Sequence, residues 1–65
     1  MIKETEYLLS RIDNIIEYAN SIKEVLERDK EISTVYLSEK LERIEDNLKI
    51  IEELEKEDQK ATAIA

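Results

Sequence analysis

The sequence predicts an all-α protein, an antiparallel two-helix hairpin that pairs with a second copy into an antiparallel four-helix bundle. Three observations predict it. Charged residues and apolar residues each make up 42% of the 65 residues, which leaves little chain for loops. Gly and Pro are absent, so the composition holds none of the usual helix breakers. Apolar residues recur at alternating steps of four and three in two separate stretches, the spacing of one face of a helix.

The first stretch is Leu8, Ile12, Ile15, Ala19, Ile22 and Leu26. Leu9, Ile16 and Val25 flank it, so the apolar face is wider than a two-stranded seam requires. A wide face points to more than one neighbouring helix. The pattern predicts helix over residues 2–28. Ala19 sits midway along the stripe, where a small side chain lets helices approach closely.

The register then breaks. Carried past Leu26, it would put Asp29, Ser33, Tyr36, Lys40, Arg43 and Asn47 in the core. Leu37, Leu41, Ile44, Leu48 and Ile51 instead hold a register of their own, one residue out of phase with the first. Every residue from Glu27 to Glu31 is charged. A skip in phase at a polar gap reads as a turn rather than as a stutter in one long rod. We place the turn at 29–33. Arg28 and Lys30 suit the negative end of a helix dipole. Asp29 can brace the turn through its own side chain. Ser33 or Thr34 can cap the next helix, with Ile32 before it as the staple residue. The second helix is expected over 34–57, with a frayed tail at 58–65. Residues 1–65 therefore form a single helical-hairpin domain.

Two helices of near-equal length joined by a short connection pack antiparallel. A chain this short buries too little surface to be secure alone. It has no Cys for a disulfide and no His for a metal. Self-association is the remaining route, so a two-fold homodimer is expected, with Leu9, Ile16 and Val25 at its interface. Glu24/Arg28, Glu39/Arg43, Glu45/Lys49 and Glu52/Lys56 are spaced for ion pairs along the outer surface.

The functional reading is mostly one of exclusion. A net charge of −7 and a pI near 4.5 argue against direct nucleic-acid binding. No apolar run approaches the ~18 residues of a membrane span, and the N-terminus lacks the pattern of a signal peptide. The expectation is a soluble cytoplasmic protein. Without His or Cys no nucleophile–base pair assembles, and Ser10, Ser21, Ser33 and Ser38 lack an activating partner, so no catalytic residue is predicted. Glu42/Glu45 and Glu52/Glu55 share helix faces but fall among polar positions, and the His of a di-iron motif is missing. No metal and no cofactor is expected. This leaves a non-enzymatic protein-interaction module, an adaptor or small regulator. Tyr7, Tyr18 and Tyr36 read as fillers of the bundle's edges. Tyr36, Ile50 and Leu54 lie off the main stripe and are a candidate docking site for another protein. A further reading is an acidic mimic of nucleic acid that occupies a basic protein.

One stretch carries a family resemblance. "VYLSEKLERI", Val35 to Ile44, resembles the second helix of the short sporulation aspartyl-phosphate phosphatases of bacilli, and "LLSRID", Leu8 to Asp13, resembles their opening helix. That family has a Ser-Gln-x-Leu-Asp signature. Here the string is Ser38-Glu39-Lys40-Leu41-Glu42, and the family's loop glycine is absent. The resemblance covers about half of the chain. It implies a helical hairpin in which Ser38, Glu39 and Glu42 meet a phosphorylated response-regulator domain.

Overall fold

A chain that turns must be much shorter than the sum of its helices. In a computed structural model that describes residues 2–64, with side chains described for 2–59, helix α1 is Thr5–Asp29 and helix α2 is Thr34–Ile64. Laid end to end they would reach about 84 Å at 1.5 Å per residue. The molecule instead measures 53 × 19 × 11 Å, and α1 packs along α2. The chain is a two-helix hairpin and the helices run antiparallel. No strand occurs among the described residues.

Both helix boundaries at the far end differ from expectation. α1 begins at Thr5, not at residue 2. Glu4 stands at its N-cap with φ −80° and ψ 57°, and its side chain makes no capping bond. Neither Ile2 nor Lys3 carries an oxygen for the orphan N–H groups of an earlier first turn, so the helix starts late. α2 continues beyond 57 to Ile64, where a frayed tail was expected over 58–65. Residues 58–64 hold no Gly or Pro to end it, and the Gln59 amide donates to Glu55 Oε1 at 3.3 Å one turn back. Residue 65 lies outside the described residues.

The turn is where it was expected, built from different parts. Lys30 takes the left-handed conformation, φ 61° and ψ 9°, and its N–H closes on the Leu26 carbonyl at 3.0 Å. A glycine usually holds this position, since a Cβ is strained there. Asp29 does not brace the turn as expected. Its carboxylate accepts from Arg28 Nε at 3.1 Å and Nη2 at 3.3 Å. Those hydrogen bonds, and then the carboxylate's charge, hold the Arg28 guanidinium above its ordinary pKa. Ser33 rather than Thr34 is the cap. Its Oγ accepts from the Tyr36 N–H at 3.4 Å, and its carbonyl accepts from the Leu37 N–H at 2.9 Å.

The two helices meet along one edge of the stripes that predict them: Leu8, Ile15 and Ile22 on α1 and Leu37, Ile44 and Ile51 on α2 are half-buried. Arg11, Tyr18 and Val25, seven apart on α1, line the seam with Lys40, Asn47 and Leu54, seven apart on α2, and all six are at least half-buried. Ile15, Ile22, Ile44 and Ile51 sit at the seam's edge, also half-buried. Ile12 and Leu26 on α1, and Leu41 and Leu48 on α2, are exposed, which corrects their placement in a core. No apolar side chain among the described residues is fully buried, and Asn47, at 6% exposure, is the one buried residue. The physical reason is thickness. A slab 11 Å deep is one helix thick and has no interior.

Candidate interaction surface

On each helix the apolar stripe is rotated away from the seam. Counting about 100° per residue, the offset is roughly 70° on both helices and in the same sense about each helix's own axis. Because the helices are antiparallel, equal rotations bring both stripes to the same side of the slab. There they merge into one face: Leu9, Ile12, Ile16 and Leu26 from α1, Leu41 and Leu48 from α2. These six are 37–53% exposed. Fully burying such a side chain stabilises by about 1.5–3 kcal/mol, so covering the exposed half of each is worth roughly 1 kcal/mol, or about 6 kcal/mol per hairpin. These side chains leave the hairpin with one continuous apolar face in contact with solvent.

The seam beneath that face is polar by comparison. The Asn47 Nδ2 donates to the Arg43 carbonyl at 2.8 Å, while its Oδ1 and the Arg11 Nε are buried with no protein partner. The Lys40 ammonium lies 5.6 Å from the Tyr18 ring and 5.2 Å from the Tyr36 ring, bridging the helices by cation–π attraction. Arg11 lies 5.4 Å over the Tyr7 ring in the same manner. The Tyr rings thus hold cations as well as filling edges. Polar and aliphatic groups thus share the seam, while further aliphatic groups face out.

The expected site residues divide on this geometry. Leu9 and Ile16 are exposed, on the outer part of the open face along α1. Val25 does not join them. It lines an open concavity at the turn with Ile32 and Tyr36, on the opposite flank of α1, so it has partners within one hairpin. Tyr36, Ile50 and Leu54 are half-buried in or beside the seam and form no exposed docking strip. Ser38, Glu39 and Glu42 are exposed on adjoining turns of α2. Two of the four serine hydroxyls are occupied by backbone: Ser33 caps α2, and Ser21 Oγ donates to the Glu17 carbonyl at 3.1 Å. None of the four expected i,i+4 pairs closes to ion-pair distance among the described residues, where Lys23–Glu27 at 3.9 Å and Arg28–Asp29 at 3.1 Å do. Exposed pairs of this kind lose in side-chain entropy most of what they gain in attraction.

Fold and site together define an open-faced two-helix hairpin. No helix among the described residues is long and apolar enough to cross a membrane. Comparison of the chain with models of protein families, with curated proteins and with solved structures finds no match.

Proposed function

We propose that the chain is a non-enzymatic protein-interaction module, an adaptor or small regulator that works by laying its apolar face on another helical surface. One observation supports this above all: the apolar stripes of both helices converge on one uncovered side, while the one buried residue among those described is a polar one, Asn47. In this reading the first occupant of the face is a second copy, giving a homodimeric four-helix bundle. The test is affinity capture from the native host with three baits. Ile16→Lys, on the face, should lose the proteins that the unaltered chain retains. Glu17→Lys, exposed on the far side of α1, should keep them. Identical retention by all three baits would remove the face from the argument.

The second reading is the response-regulator phosphatase. It draws on the exposure of Ser38, Glu39 and Glu42 on adjoining turns, where a docked receiver domain would reach them. Dephosphorylation of a phosphorylated receiver domain, abolished by Glu42→Ala, is its mark. No dephosphorylation by the unaltered chain counts against it.

A further inference from the structure

We infer that the second copy docks with its turn at the same end as the first, so that α1 of each protomer lies along α2 of the other. This rests on the interaction-module reading and adds the partner's direction. The area fits a second copy. A face of 53 by 19 Å is on the order of 1,000 Å², and a stable interface needs about 800 Å² per partner. A hairpin of the same length and width covers all of it, whereas one added helix covers a single groove.

Two symmetric arrangements satisfy that area. A two-fold axis along the helices sets α1 against the partner's α2, with both turns together. A two-fold axis across the helices sets α1 against α1 and α2 against α2, with the turns at opposite ends. Charge decides between them. Glu6, Asp13, Asn20 and Glu27 are seven apart and border the apolar face along α1, beside Leu9 and Ile16. Glu42, Lys49 and Lys56 are seven apart and border it along α2. Residues equally far from the turn are level, as Asp29 is with Thr34, so Glu6 is level with Lys56 and Asp13 with Lys49 to within one residue.

An axis along the helices preserves those levels. Glu6 then stands opposite Lys56 of the partner, Asp13 opposite Lys49, and Asn20 opposite Glu42, with no like-charged pair in the row. An axis across the helices reverses each row on itself. Glu6 would meet Glu27, against one attractive pairing of Glu42 with Lys49. Like charges set opposite one another disfavour that docking. Glu6, Asp13, Lys49 and Lys56 are all exposed, and none is in an ion pair within the hairpin.

The experiment is a distance between two copies of one spin label. The chain has no cysteine, so Glu31→Cys in the turn carries the only label. Same-end docking puts the two labels about 20 Å apart, two helix diameters. Opposite-end docking puts them near the 53 Å length of the molecule. A second measurement uses charge reversal. Asp13→Lys should weaken the dimer roughly three- to tenfold at low salt, through two symmetric pairs. Adding Lys49→Asp to the same chain should restore it. Asp13 and Lys49 lie on opposite long edges of one hairpin, so that rescue acts between protomers. A separation near 50 Å, or no rescue, overturns the direction proposed. A chain that sediments at a single mass and shows no distance between labels overturns the second copy as occupant. The capture experiment with Ile16→Lys then judges the interaction-module reading separately.

Discussion

Replacing Asn47 by Leu should make the hairpin more stable. Asn47 is the most buried residue among those described, and its Oδ1 is buried with no protein donor. A buried carbonyl left unpaired costs about 1–3 kcal/mol relative to an apolar group of the same shape. Leu removes that oxygen and keeps the same number and branching of side-chain heavy atoms. The bond lost is Nδ2 to the Arg43 carbonyl at 2.8 Å, which is worth about 1 kcal/mol net. That carbonyl keeps its intrahelical partner, the backbone N–H four residues on, so nothing new is left unpaired. Ile44 and Ile51, one turn to either side, give the leucine apolar neighbours. The balance is a gain of up to about 2 kcal/mol, or up to roughly 15 °C in Tm for a domain of this size. Thermal unfolding followed by circular dichroism at one fixed protein concentration measures it. A fall in Tm would refute the reasoning, because it would mean that Oδ1 has a partner in solution. A polar residue in an otherwise favourable seam also restricts register, so the leucine variant should show a broader range of assembly states by sedimentation.

Three other substitutions probe the turn and the two faces. Lys30→Gly relieves the left-handed residue and should stabilise by up to about 1 kcal/mol, read as a higher Tm; no change would mean that the turn relaxes in solution. Ser33→Ala removes the α2 cap and should cost about 1 kcal/mol, whereas Thr34→Ala should cost much less; the reverse order in chemical denaturation would put the cap one residue later. Ile44→Asp sets an unpaired carboxylate where the seam meets the open face and should cost about 3 kcal/mol or more, while Glu45→Ala one residue away should cost under about 1 kcal/mol. Equal melting temperatures for those two variants would show that the register is wrong.

Apolar spacing reads the helices well because it reports which side of a helix avoids water. The phase skip between Leu26 and Leu37, with its charged gap, gave the turn to within a residue. Spacing does not report which neighbour that side meets. In the hairpin the sibling helix lies roughly 70° from the stripe, and the residues that touch it are Arg11, Tyr18, Lys40 and Asn47 as much as Val25 and Leu54. Long amphipathic side chains with aromatic rings to lie on leave no apolar signature. Val25, seven residues from Tyr18, is half-buried in the seam row, away from Leu9 and Ile16. The same blindness hid the Lys40 bridge, since a lysine between apolar positions reads as surface. Heptad rows taken for charged residues as well as apolar ones would have found it. The left-handed Lys30 had no sequence signal, because the glycine that normally marks such a residue is absent.

The single-layer build of the hairpin has a consequence for hydrogen exchange. Every helical amide in a slab 11 Å thick lies next to solvent on at least one side, so opening one turn uncovers no packed interior. Amides of an isolated hairpin should exchange through fraying and single-turn opening, with protection that falls smoothly toward the helix ends. A second layer on the open face changes this for a defined subset. Amides of Ile12, Ile16, Leu41 and Leu48 would then open only when the layers separate, and their exchange would slow as protein concentration rises. Amides on the far side, such as those of Glu17 and Glu53, would keep their local rates. Exchange rates along the chain thus record which side of each helix is covered, without a spectroscopic label and without a substitution.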